Sequence, residues 1–446
     1  MRLRQSAALL LCVILALVGF DRCCRVLGPE GPAGWTFIRR ECWPSRESRI
    51  LVVAPHPDDE TLGGEMVLRW AAKNRVPARV VLVTCGDAYV HAAQDALGKE
   101  KASAGEMIHF GAMRRQETLH ASRAMGLEPS QVVFLGFPDG GTMDLWNENW
   151  AVPFRSPHTN VNHVPYPFAV IPGAPYTGRQ EMKELADEIR QFRPTDIYVS
   201  HQWDEHPDHA ATCYFTLAAL DEMQTEPWIH QIRVHPYLVH AGHLPIPRAY
   251  LPNRFVNPPL EFRCSRLPWS ELRLSDGQAR FRKNIIDLYS SQVALTRTFL
   301  EAFARRNVLF GDVPPFPIRS VSWGMNDADW QTRDRYYWHG QNRGRLKGGD
   351  PIVISQSAAL TADVVLLRVR STIPALGTAC RVFVHPITPG ASAEVPGTSR
   401  VDSGSVITTT IPVKMFGPQR RGFVSISLEH GVSAPFQAKG REIVLP

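Results

Sequence analysis

The sequence predicts an α/β protein: a Rossmann-like, mostly parallel sheet with helices on both faces, followed by a small C-terminal β-sandwich. Three observations predict it. Between residues 49 and 240, short apolar runs alternate with amphipathic runs of helical period. From about residue 344 the helical period stops, and β-rich runs separated by Gly, Pro and Ser turns take over. The length, 446 residues, gives two such units ample chain to bury a core each.

Taken in order, residues 49–54 form an unbroken apolar run suited to a buried parallel strand, and 61–74 an amphipathic helix. Residues 78–85 read as a second strand, 114–125 as a helix closed by Gly126, and 131–136 as a third strand. A helix over 180–192 ends before Pro194, a fourth strand spans 196–200, a helix 209–223 and a fifth strand 232–240. Residues 278–306 read as one long amphipathic helix closing the first domain. Two connections, 89–111 and 139–178, are too long for structureless linkers and read as lids or binding loops. The second carries Trp146, Trp150, Phe154, Tyr166, Phe168 and Tyr176. Such aromatics either stack on sugar rings or pack the loop onto its own domain.

Composition narrows the class. With 44% hydrophobic and 21% charged residues, the chain is neither disordered, collagen-like nor a polytopic membrane protein. The net charge of +6 is dispersed, so no nucleic-acid partner is expected. Arg2 and Arg4 precede a 14-residue apolar run from Ala7 to Phe20. That fits a secretory signal, cleaved or kept as an anchor, and predicts an exported domain: periplasmic, secreted or held at a membrane by this segment. The eight cysteines show no CxxC, so neither a zinc ribbon nor a disulfide scaffold is indicated, and Cys85 and Cys213 read as inert buried thiols.

The chemistry sits at two strand-to-helix junctions. The first strand runs into His56-Pro57-Asp58-Asp59-Glu60, where His56 and Asp59 can point at one ion and Asp58 can face its water. The fourth runs into His201-Gln202-Trp203-Asp204-Glu205-His206-Pro207-Asp208-His209, a second imidazole cluster at the same sheet edge. Three protein ligands with one open position is the arrangement of a catalytic zinc site. Either cluster alone would be weak, since Asp is also a common helix cap.

The two clusters resemble the signatures of the PIG-L/LmbE-like zinc de-N-acetylases. Arg114-Arg115-Gln116-Glu117, Phe137-Pro138-Asp139-Gly140 and Tyr289-Ser290-Ser291-Gln292 resemble three further motifs of that family, in matching order over about residues 49–310. The resemblance implies Zn²⁺ on His56, Asp59 and His209, with Asp58 as the general base on the zinc-bound water. It implies that His206, oriented by Asp208, stabilises the oxyanion as an imidazolium, and that Arg114 and Asp139 contact sugar hydroxyls. The chain departs from short family members in its long loop after Asp139 and in the segment after the fifth strand, where His240 or His243 reads as an extra acid or sugar contact, or as a solvated loop residue. His91, His109, His120, His158 and His163 lack ligand spacing and read as surface or loop residues.

The expected organisation is a signal segment over 1–28, an LmbE-like domain over 48–310, a linker over 311–343 and a β-sandwich over 344–446. The expected function is exported zinc-dependent removal of N-acetyl groups from N-acetylhexosamine glycans, polysaccharide or glycolipid. Two readings compete: a zinc amidase on another N-acyl substrate, with Trp146 and Trp150 lining an acyl pocket, and a glycan-binding surface protein with a vestigial first domain.

Overall fold

The computed structural model describes residues 38–242, 244–259, 267–313, 316–318, 331–335, 353–361, 363–371, 378–386, 393–395, 399–403, 406–418, 420–430 and 436–445. The signal segment, the three N-terminal cysteines, His243 and Cys264 lie outside them. Among the described residues, no helix is long and apolar enough to cross a membrane.

The parallel strands form where the apolar runs predict them. They are β2 (Ile50–Ala54), β3 (Ala78–Thr84), β4 (Val132–Phe137), β5 (Asp196–Ser200) and β6 (Arg233–Tyr237), after a short β1 (Ile38–Arg40). Every residue of β2 and β5 is buried, as a strand covered on both faces must be. Helix α1 (Asp59–Asn74) opens with two acids, which suit the positive end of its dipole. It lies close on the sheet because Gly64 has no side chain there: a Cβ would come within 2.8 Å of Val52 Cγ2.

The long connections are partly helical. Residues 89–111 contain α2 (Val90–Leu97) and the first turns of α3 (Ala104–Met125), which starts ten residues earlier than expected because Ser103 and Glu106 close a capping box. The 139–178 connection contains α4 (Thr142–Asn147) and leads into α5 (Gly178–Phe192). Its aromatics pack inward: Trp146, Trp150, Tyr166 and Tyr176 are buried, and Phe154 and Phe168 pack against the same core. They offer no open stacking platform, so the packing alternative is the one realised. After α6 (Pro207–Glu222) and β6, an antiparallel pair, β7 (Trp269–Arg273) and β8 (Asn307–Gly311), makes the sheet mixed at one edge. The expected single helix over 278–306 is two, α7 (Asp276–Ile286) and α8 (Ser290–Glu301), and its end gives way to β8.

The sheet order is β1-β7-β8-β6-β5-β2-β3-β4. From β2 the chain progresses outward through β3 and β4, and from β5 in the other direction through β6. The reversal lies between β2 and β5, which pair in parallel. A crevice opens at the C-terminal ends of strands at such a switch point, and both histidine clusters emerge there.

The C-terminal part holds two five-stranded sheets. Strands β11 (Val353–Leu360), β12 (Val364–Ser371), β13 (Thr378–Pro386), β14 (Ala393–Glu394), β15 (Ser399–Ser403), β16 (Val406–Pro412), β17 (Arg421–His430) and β18 (Phe436–Val444) fall within the expected sandwich. The sheets also recruit β9 (Phe316–Pro317), paired with β18, and β10 (Gln331–Arg335), paired with β11. Both lie in the stretch read as a linker, so this unit begins earlier than its sequence pattern indicates.

Candidate metal and catalytic site

Three ligand atoms meet at the switch point. His56 Nδ1 is 3.2 Å from Asp59 Oδ2, His209 Nε2 is 3.3 Å from His56 Nδ1, and His209 Nε2 is 3.1 Å from Asp59 Oδ2. Atoms about 2.0–2.1 Å from one tetrahedral ion stand about 3.3 Å apart, so this triangle fits an N₂O metal site. His56 comes from the turn after β2, Asp59 from the first turn of α1, and His209 from the first turn of α6. Pro207 begins α6 at a position where its missing N–H costs nothing. Wider groupings around the same ring, His56 with His206 and His209 and His56 with Asp139 and Asp208, also bring ligand atoms within 4.8 Å.

The far nitrogen of each ligand histidine faces a carboxylate, as metal-bound histidines require for a fixed ring and tautomer. His56 Nε2 is 3.1 Å from both Asp208 Oδ2 and Asp139 Oδ1. His209 Nδ1 is 3.3 Å from Asp204 Oδ2. Burial alone would lower both imidazole pKa values, but the carboxylates outweigh it. Asp139 and its neighbours hold His56 well above its ordinary value, and Asp59 with Asp204 raise His209 to about 10. Asp204 was not singled out in the sequence. Its partners are contributed by α6 and by the exit of β6: it accepts from the backbone N–H groups of His206, Val239 and His240 at 3.0 Å each.

Asp58 stands beside the triangle at the N-cap of α1 with φ 120° and ψ −29°, a conformation few non-glycine residues adopt. Burial, then the charge of Asp59, pushes its carboxyl up to about 8, against the pull of Arg114. Arg114 is itself buried. It donates to Pro57 O (2.5 Å) and Gly86 O (3.1 Å), and its Nη2 is 3.5 Å from Asp58 Oδ2. The guanidinium expected on sugar hydroxyls thus holds the loop that carries Asp58.

Asp208 is also placed differently from the expectation. Its carboxylate accepts from Gly140 N (2.7 Å), Thr142 N (3.1 Å) and Thr142 Oγ1 (2.7 Å), and faces His56. Only its backbone N–H meets His206, donating to Nδ1 at 3.3 Å. That bond leaves the other nitrogen of His206 as the donor. Burial, then the neighbouring His56, lowers His206 to about 4, which favours its neutral ring. Asp139 shares its carboxylate between His56 and Ala88 N (2.7 Å), and burial is outweighed by His56 in holding it below the usual range. His240 does reach the cluster, with its ring 4.8 Å from that of His209 and 5.4 Å from that of His206. Burial lowers it to about 3.

Two of the other motifs act at a distance from the chemistry. Glu117 accepts from Ser290 Oγ, Ser291 N and Ser291 Oγ at 2.7–2.8 Å, which ties α3 to the start of α8. Tyr289 O–H donates to Glu60 (2.5 Å) and lies 2.8 Å from Thr61 Oγ1, fixing the first turn of α1. His91, His109, His120 and His163 are exposed and His158 half-buried, away from the cluster.

A sheet with its crevice at the β2/β5 reversal, holding a metal-fitting His₂Asp triangle beside a buried acid, has the arrangement that metal-assisted hydrolases use. Residues 51–220 match the family model PIG-L, GlcNAc-PI de-N-acetylase, which supports a de-N-acetylase hydrolase. No curated protein matches the chain. Similar solved structures include a deacetylase in complex with teicoplanin from the teicoplanin biosynthesis pathway (18% identity, 59% of this chain and 97% of that one, TM-score 0.38). Another is the N,N'-diacetylchitobiose deacetylase of Pyrococcus horikoshii (17% identity, 57% and 75%, TM-score 0.34). A third is a 4-carboxy-2-hydroxymuconate hydratase from Pseudomonas putida (14% identity, 63% and 100%, TM-score 0.34).

Proposed function

We propose that the chain is an exported, zinc-dependent amidohydrolase that removes acetyl groups from N-acetylhexosamine units of a polysaccharide or glycolipid. The observation that carries this reading is the triangle of His56 Nδ1, Asp59 Oδ2 and His209 Nε2, with edges of 3.1–3.3 Å, set beside Asp58. The PIG-L match supports an N-acetylated sugar substrate, and the basic and apolar N-terminal run supports export.

His56, Asp59 and His209 would hold the ion. When bound, zinc lowers the pKa of water to about 7 and polarises the amide carbonyl. In its ionised form, Asp58 accepts a proton from the attacking water at a carboxylate oxygen. His206 donates from its free ring nitrogen to the carbonyl oxygen as negative charge builds there, a contribution of about 3–4 kcal/mol for a donor of this kind. The C–N bond breaks as a proton reaches the nitrogen, leaving acetate and a free amine. Asp139, Asp204 and Asp208 hold the histidines, and Arg114 holds Asp58. An acyl pocket lined by Trp146 and Trp150 is disfavoured by the burial of both rings.

The test is acetate release from poly-N-acetylhexosamine and matched oligosaccharides by the zinc-loaded protein, with Asp58→Asn as the blank. Release that vanishes in Asp58→Asn is expected. No release from any N-acetylated sugar, with one zinc bound per chain, would overturn the glycan assignment.

A further inference from the structure

Helix α4 has only six residues and no side-chain cap, too short to hold its place by its own hydrogen bonds. Its two ends are fixed by different parts of the molecule. At the start, Gly140 N and the amide and hydroxyl of Thr142 bind the Asp208 carboxylate, which faces His56 Nε2. At the end, the Trp146 indole packs on Tyr214 and Phe215 of α6, with ring centroids at 5.5 and 5.0 Å. The remaining side of the indole is covered by His385 of β13 (4.3 Å) and Phe423 of β17 (5.7 Å). His385 also lies 4.4 Å from Trp150, and Arg381 of β13 pairs with Glu148.

Resting on the metal-site reading above, we propose that the C-terminal β-domain is a positioning element of the catalytic centre. His385 and Phe423 seat Trp146, Trp146 fixes α4, and the first turn of α4 keeps Asp208 on His56. A binding module carried on a linker would leave a polar, separable seam. Here ion pairs (Arg381–Glu148, Arg421–Asp221) accompany a buried apolar contact: His385 is 4% and Phe423 2% exposed, and Phe423 belongs to the core of the first domain. His385 serves there as a flat ring, since its Nδ1 has no hydrogen-bond partner among the described residues. Loosening α4 withdraws three donors from Asp208. Asp208 then stops fixing the ring of His56, and metal affinity falls as it does when an outer-shell partner is lost.

The experiment compares four full-length proteins: wild type, His385→Ala, His385→Phe and Ile426→Ala. Ile426 lies in the separate core of the β-domain, so its truncation weakens that domain without touching the indole. The readouts are zinc affinity by competition with a chromophoric chelator and hydrogen exchange at the Gly140 and Thr142 amides. His385→Ala is expected to weaken zinc binding about 10-fold and to speed exchange at both amides. His385→Phe restores both, while Ile426→Ala lowers Tm and moves neither. Should His385→Ala not fold, Phe423→Leu makes the same test with a smaller change. A folded His385→Ala with unchanged affinity and exchange overturns the proposal, as does an Ile426→Ala that weakens zinc equally. A wild type that binds no zinc would instead overturn the metal-site reading, and the exchange measurement would still decide whether the β-domain holds α4.

Discussion

The Nδ1 of His209 lies 3.3 Å from Oδ2 of Asp204, a carboxylate buried behind the site. The same Asp204 binds three backbone N–H groups, so one side chain orients His209 and anchors the segments bearing His206 and His240. Asp204→Asn keeps the size but removes the charge and turns an amide toward those donors. Metal affinity should fall about 10–100-fold, read by chelator competition. An unchanged affinity would show that Asp204 is not what orients His209.

Asp58 combines a left-handed backbone with a buried carboxyl whose pKa is raised to about 8 by burial and by Asp59. Both features disfavour the folded state, so the residue is held there by its surroundings. Asp58→Gly should therefore stabilise the fold by about 1–2 kcal/mol, since a residue in such a conformation costs on the order of 1–3 kcal/mol. The same variant should lose turnover by about 10²–10⁴-fold, the usual contribution of a positioned base. Urea unfolding and acetate release measure the two together. A Gly variant less stable than wild type would remove the strain argument.

What the sequence made legible was whatever rests on local pattern. The strand at Ile50–Ala54 is an unbroken apolar run and the two histidine clusters stand at strand ends, so the parallel sheet and the meeting of the clusters at one sheet edge could be read from the residues. The choice of His209 as the third ligand came instead from the family resemblance. What it hid depends on contacts between distant segments. β7 (Trp269-Ser270-Glu271-Leu272-Arg273) has neither a continuous apolar run nor strict alternation, and it pairs with β8 more than thirty residues later. The break between α7 and α8 is fixed by Glu117, reaching Ser290 and Ser291 across 173 or more residues of chain. Arg114 matches a motif tied to sugar binding, yet burial turns it onto Pro57 and Gly86.

Gly86 exists at its position for the sake of that arginine. It adopts φ +69°, and a Cβ there would collide with the Arg114 guanidinium. Gly86→Ala should displace Arg114 from Pro57 O, Gly86 O and Asp58 at once. Leaving buried carbonyls without donors costs about 1–3 kcal/mol each, so Tm should fall and kcat should fall with it, while KM stays near wild type. Arg114→Lys, with one ammonium in place of a planar fork, should reproduce the same pattern. A change confined to KM in either variant would return Arg114 to the substrate.

Tyr166 decides between the two readings of the aromatic loop. Its O–H donates to Asp87 Oδ2 at 2.5 Å, and both residues are buried. Burial, then Asp139, raises Asp87 to about 7, while the Tyr166 hydroxyl pulls it down. Tyr166→Phe removes that donor and leaves the carboxylate without it, at a cost of about 1–3 kcal/mol. The sign with pH follows from linkage. The hydroxyl favours ionised Asp87 and so lowers its folded-state pKa. The gap in stability between wild type and Tyr166→Phe should therefore be small at pH 5, where Asp87 is protonated in both folded proteins, and widen as pH rises through about 7. Denaturant unfolding at pH 5 and pH 8 measures it, alongside KM for an N-acetylated oligosaccharide. A ring that stacked on sugar would give the opposite result, a raised KM and a stability gap indifferent to pH.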